Sequence, residues 1–304
     1  MRTARLVLKQ NRFEVIVLGG AILVLTLAIL YVATRMGALP AEIDACGDPA
    51  TCRALQETRG RLEQLATPLM LLGVVLPIFV GLMFGVPLVA REVERGTASL
   101  PWAMSRSRHG WFLRRVAILG VTLAVITALP SIALDYLMQA LFPDVDMAHS
   151  FMFVDARGPV VGARALAAFG VGALSGALTG RALPGLLLAL VGSAMLFAGL
   201  AIMDESWLRA DAVPLPDDPN RPTEALIVSI GYDLPDGRTV DWETAVALLD
   251  DPNRAPEEVY PYRYIGVPAQ LAPEKRAREI VVILLAGVAC VGAATLVVDR
   301  RRPY

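Results

Sequence analysis

Val15–Ala33 reads VIVLGGAILVLTLAILYVA, an uncharged run bracketed by Arg12 and Arg35. An α-helix of ~20 such residues crosses a hydrocarbon core ~30 Å thick, so the run is long enough to span a membrane. The basic segment MRTARLVLKQNR before it resembles the start of a secretory signal. The run is longer than a signal core, however, and RMGALPAEID is a weak cleavage site, so an uncleaved span is expected. Five further apolar stretches follow: Pro68–Ala90, Val116–Phe142, Ala165–Gly180, Gly185–Met203 and Ile280–Val298. The expected fold is an all-α polytopic membrane protein. Residues 1–304 form one transmembrane domain of six helices, with a small mixed extracytoplasmic insertion at 204–274.

Composition supports this reading. Hydrophobic residues make up 55% of the chain and charged residues 19%, and the mean hydropathy is +0.54. A soluble domain of this length needs more polar surface. With a net charge of −1 and no basic tract, nucleic acid is not an expected partner. Pro77 and Pro87 interrupt the second run and predict a helix kinked within a bundle, where neighbours satisfy the freed carbonyls. Gly172, Gly176 and Gly180 recur every fourth residue, which would line one face of the fourth span and admit a second helix closely. Compositional bias toward Gly and Ala is the alternative explanation.

Lysine and arginine near span ends set the orientation. If the amino terminus is inside, the inner side receives Arg2, Arg5, Lys9 and Arg12, then Arg91, Arg95, Arg106, Arg108, Arg114 and Arg115, then Arg181 and Arg300–Arg302. Only Glu92, Glu94 and Asp299 offset them in these loops. On the other side, arginines are balanced by carboxylates or lie in an acidic segment. Both termini are therefore expected to be cytoplasmic, and an even number of spans agrees by placing them on one side.

Two outer loops carry information. Cys46 and Cys52 enclose GDPAT on the oxidising face, which suits a disulfide-closed loop; two free thiols are the alternative. The segment 204–274 reads as a small mixed module. EALIVSIGYD is expected to be a strand, LPDG a turn and Trp242–Leu249 a short helix. DDPNR occurs at Asp217–Arg221 and Asp250–Arg254, where turn chemistry is the better reading than calcium binding. Tyr260, Tyr262 and Tyr264 suit an interfacial aromatic belt or a substrate contact. Cys290 reads as a packing residue within the last span.

No catalytic site is expected. GxxxxGK[ST] is absent, since Lys9 precedes Gln10 and Lys275 precedes Arg276. HExxH and GxSxG are absent as well, and by topology His109 and His149 fall on opposite sides. No metal or cofactor is assigned to this chain. Two carboxylates fall within or beside apolar runs. Glu14 sits at the inner edge of the first span, where it can reach headgroups, and Asp135 lies toward the outer end of the third. A carboxylate buried in a bundle makes Asp135 a candidate pathway residue, with the membrane interface as the alternative.

Between the second and third spans lies REVERGTASLPWAMSRSRHGWFLRR, Arg91–Arg115. A short helix ending at Gly96 would present Glu92 and Glu94 to a partner at the membrane face, ahead of apolar Leu100 and Trp102. This arrangement resembles the permease subunits of type-2 ABC exporters, in which a Glu-(Arg/Lys)-Gly-Thr signature follows the second span. It is matched here by Glu94, Arg95, Gly96 and Thr97. The resemblance implies several things. The segment would couple to a separate ABC ATPase subunit that carries ATP and magnesium, and a second permease copy or a homologous permease would complete the exporter. The chain would lie in a bacterial plasma membrane. Two features depart from the family pattern: the amphipathic segment before the first span is short, and the 204–274 insertion is long. A non-transporting scaffold or sensor with an extracytoplasmic ligand domain is the alternative function.

Overall fold

The computed structural model describes residues 7, 9, 11–96, 107–215, 225–249 and 254–300. Thr97, Leu100 and Trp102 lie outside these residues, as do both DDPNR copies apart from Arg254. The chain divides into two compact units, one of residues 1–143, 153–197 and 278–304, the other of 144–152 and 198–277.

The first unit is helical. Its elements are α1 (Arg12–Asp44), α2 (Pro49–Gly85), α3 (Pro87–Glu94), α4 (Arg108–Leu141), α5 (Pro159–Thr179) and the first part of α6 (Ala182–Ala210). Among the described residues six helices are long and apolar enough to cross a membrane; the sixth, which ends at Arg300, is given below.

Helices α1 and α2 overrun the spans read from hydropathy, which ended at Ala33 and began at Pro68. At 33 and 37 residues they measure about 50 and 55 Å, roughly 20 Å more than the hydrocarbon core needs. The loop expected between them is a helical hairpin instead. Thr34–Asp44 contains good helix formers and an Arg35–Glu42 ion pair at 3.3 Å, while Arg59 and Glu63 pair at 3.0 Å one turn apart. On the projecting ends Met36, Leu39, Leu62 and Ala66 are buried. The turn is brief because Asp48 caps α2, accepting the Thr51 N–H at 3.0 Å, with Pro49 in the first helical position. Cys46 and Cys52 are joined across it with their Cα atoms 5.6 Å apart.

The centre of the bundle is α5, the span with the weakest hydropathy signal. Its most apolar stretch is 78% buried, against 11% for α6. It packs most extensively on α2. A Cβ placed on Gly176 would lie 2.3 Å from the Val86 carbonyl oxygen, and one on Gly81 or Gly85 would lie 2.2 or 2.4 Å from the Ala165 or Phe169 oxygen. The seam therefore takes glycines from both helices, and Gly81 and Gly85 were not singled out in the sequence. Gly180 has a second role. It ends α5 with φ +64, and its N–H returns to the Gly176 carbonyl at 3.0 Å. The chain resumes as α6 at Ala182.

The second unit contains a four-stranded antiparallel sheet of β1 (Val213–Pro214), β2 (Leu226–Asp233), β3 (Thr239–Val240) and β4 (Tyr262–Val267), in the order β1-β4-β2-β3. Two short helices, α7 (Trp242–Ala247) and α8 (Pro256–Val259), precede β4, and α9 (Ala272–Arg300) leaves this unit to become the last apolar helix. The LPDG turn closes on Gly237 at φ +82, where glycine has no Cβ to clash. Asp241 caps α7 through the Thr244 N–H at 2.9 Å. Tyr262 and Tyr264 belong to β4 and extend an aromatic row from Trp242 through Tyr232, with centroids 5.6–6.3 Å apart. Phe151, Val267 and Ala272 form a small core with Leu226 and Leu271. The unit is thus larger than residues 204–274, because the segment 144–152 joins it: Arg276 donates to the Met147 and Ser150 carbonyls, each at 3.4 Å.

Candidate functional site

At the end of the bundle where α1 begins and α9 ends, Pro87 starts a fresh helix immediately after α2, and eight residues later that helix stops. Proline has no N–H to donate and fits the first helical turn, which explains the break at Val86–Pro87. Arg95 closes α3 with its N–H to the Arg91 carbonyl at 3.2 Å, and Gly96 takes φ +67. Only glycine adopts that value without strain, so the direction in which the chain leaves α3 depends on Gly96.

Three contacts fasten α3. Arg91 pairs with Glu14 of α1, whose carboxylate was expected to reach lipid headgroups. Glu92 accepts from Arg115 of α4 at 2.7 Å, with side-chain exposures of 19% and 9% respectively. The Arg115 guanidinium also lies 4.9 Å from the Trp111 ring centroid, within cation–π range. Glu94 accepts the Ala182 N–H at 3.0 Å, placing negative charge at the start of α6 where the helix dipole favours it. One short helix therefore bridges the first, third and fifth long helices.

Glu92 is half-buried and holds α3 against α4 through Arg115. Glu94, Arg95 and Gly96 are exposed, and Glu94 also serves as a cap. The partners Glu14, Arg115 and Ala182 could not be read from sequence, since 23 residues separate Glu92 from Arg115 and 88 separate Glu94 from Ala182. His109 at the start of α4 lies 3.6 Å from Asp299 near the end of α9. His149 pairs instead with Asp146 at 2.8 Å, and that bond holds the Asp146 carboxyl below its ordinary value.

Toward the other end of α4, the Asp135 carboxylate lies 3.6 Å from Arg157. The Arg157 side chain is almost wholly enclosed, at 3% exposure, while that of Asp135 is 46% exposed. Nearby, Arg164 of α5 pairs with Glu279 of α9 at 2.9 Å. Among the described residues no group of three or more metal-ligating side chains converges.

Six helices of membrane-spanning length among the described residues, two of them packed along a glycine seam and tied at one end by a latched cross-helix, are the architecture of a multi-pass membrane protein. Residues 19–205, more than half of the chain, match the family described as ABC-2 membrane transporter related, and the chain belongs to that family as a type-2 ABC permease. No curated protein and no solved structure matches the chain.

Proposed function

We propose that this permease is the membrane-spanning subunit of an ATP-driven exporter and docks a separate ATPase through the exposed end of α3. The observation that carries this reading is the latch. A force applied at Glu94, Arg95 or Gly96 passes directly to α1, α4 and α6 through three polar contacts. A coupling element needs this arrangement, with an exposed tip for the partner and a base tied to the helices that must move. ATP and magnesium belong to the partner, and Thr97 would extend the docking surface.

Both termini face the cytoplasm of a bacterial cell in this scheme, as the arginine distribution favours. A second permease, identical or homologous, completes the pathway. The sparsely buried α6, with Leu183, Leu187, Val191 and Met195 exposed, provides apolar surface for it or for lipid. Transport runs outward.

Arg95→Glu tests the docking role without touching the three latch contacts. The variant is expected to insert and fold, yet to lose at least tenfold in co-purified ATPase and in permease-stimulated ATP turnover. That corresponds to about 1.4 kcal/mol, within what charge mismatch at an interface produces. Unchanged co-purification and turnover would remove the docking role from this segment.

A further inference from the structure

Between α4, α5 and α9 the first unit has an open-sided slot of about 350 Å³ whose lining is almost entirely apolar. Along α4 it is bounded by Ala124, Ala128 and Asp135, facing Gly162 and Leu166 of α5 and Leu284 of α9. Ala124 to Asp135 covers about 16 Å of helix, close to the ~15 Å depth of one bilayer leaflet. Spread over that length, 350 Å³ leaves a section of about 20 Å², room for one extended alkyl chain and not for two. Small residues create the space: Ala124, Ala128 and Gly162 lie where larger side chains would close it. Ala128 is exposed, so the slot opens sideways to the surroundings of the bundle.

Its charged end has a definite polarity. Asp135 borders one end of the slot and is part-exposed, whereas Arg157, 3.6 Å from its carboxylate, is enclosed. The accessible member of the ion pair at this end is therefore the carboxylate. A carboxylate at this depth favours a cationic donor, and its attraction is stronger beside hydrocarbon than in water.

We infer that this slot is a binding site for a single-chain cationic amphiphile, with its alkyl chain along α4 and its ammonium group at Asp135. The inference does not depend on ATPase docking or on the direction of transport. Occupancy would be read by binding alone.

The test uses the full-length protein in phosphatidylcholine vesicles and a photoreactive dodecylammonium probe, with a dodecyl sulfate of the same chain as its counterpart. The ammonium probe should label peptides spanning Ala124–Asp135 and Gly158–Leu166 at least tenfold more than the sulfate. Ala128→Phe should reduce that labelling tenfold by filling the slot. Gly162→Leu serves as a second plug should the first variant fail to fold, with folding checked by thermal unfolding. Asp135→Asn should lower the ammonium-to-sulfate ratio at least fivefold while a dodecanol probe still enters. Equal labelling by both charges, or undiminished labelling of a folded, plugged variant, would overturn the proposal. So would labelling by a two-chain phosphatidylethanolamine probe that dodecylammonium fails to displace.

Discussion

Replacing Gly176 by alanine adds one methyl group where the backbone of Val86, the residue that ends α2, already sits. That Cβ would lie 2.3 Å from the Val86 oxygen, with the Val86 carbonyl carbon and Cα at 3.1 and 3.2 Å. All three are main-chain atoms, so no side chain can swing aside. Ordinary carbon–oxygen contact begins about 1 Å further out, and α2 and α5 must separate by a comparable distance along the seam. Overpacking of this kind typically destabilises by about 1–3 kcal/mol, and the dispersion contacts forfeited at Gly81, Gly85 and Gly172 place the expected value toward the upper end. Gly20 of α1 supplies the control, because a Cβ there meets nothing within 4 Å. Gly20→Ala should be neutral or stabilising by up to about 1 kcal/mol, the ordinary helix preference for alanine over glycine. The two substitutions are the same in chemistry and opposite in expected sign. Unfolding of the purified protein in mixed micelles, followed by far-UV circular dichroism, measures both. Gly85→Ala combined with Gly176→Ala should be non-additive, because a helix displaced once need not be displaced again in full. Gly176→Ala matching Gly20→Ala in stability would refute close packing at this seam.

Two further predictions concern parts outside the bilayer. Cys46 and Cys52 should resist alkylation until reduced, and Cys46→Ser should lower stability by no more than about 2 kcal/mol, since the ring is short; peptide mass spectrometry with and without reductant checks the bridge. In the second unit, Thr239 and then Arg263 hold the Asp233 carboxyl below its ordinary value. A carboxyl lowered on folding contributes stability above its unfolded pKa of about 3.9, and that contribution fades as pH falls through the lower folded value. Acid titration below pH 4, followed by Trp242 fluorescence, should therefore show the sheet loosening, and Asp233→Asn should flatten that part of the profile.

How much of this was legible in the sequence follows from what each signal measures. Hydropathy reports transfer into lipid, so it located six spans and ranked α5 last. A central helix touches other helices and needs small residues, and these lower its apolar score. The same measure ended the first span at Ala33, although α1 continues to Asp44, because helices that pair beyond the membrane no longer need every residue apolar. Glycine spacing points to Gly172, Gly176 and Gly180, and the same four-residue spacing recurs at Gly81 and Gly85 on the facing helix; that Gly180 also caps α5 depends on its φ, which spacing does not report. At the candidate site, Glu94, Arg95 and Gly96 stood out as a motif. The roles of the two glutamates did not, because each is decided by a partner distant in sequence. Tyr262, Arg263 and Tyr264 alternate as a strand does, and their position shortly before an apolar run obscured that pattern.

The claim that α3 is the docking element for an ATPase is tested most directly by site-specific crosslinking in cells. A photoreactive amino acid at Arg95 should capture a protein whose peptides include a P-loop, GxxxxGK[ST]. The same group at Gly47, on the tip of the helical hairpin, should capture none. Capture of a P-loop ATPase from Gly47 and not from Arg95 would contradict the account.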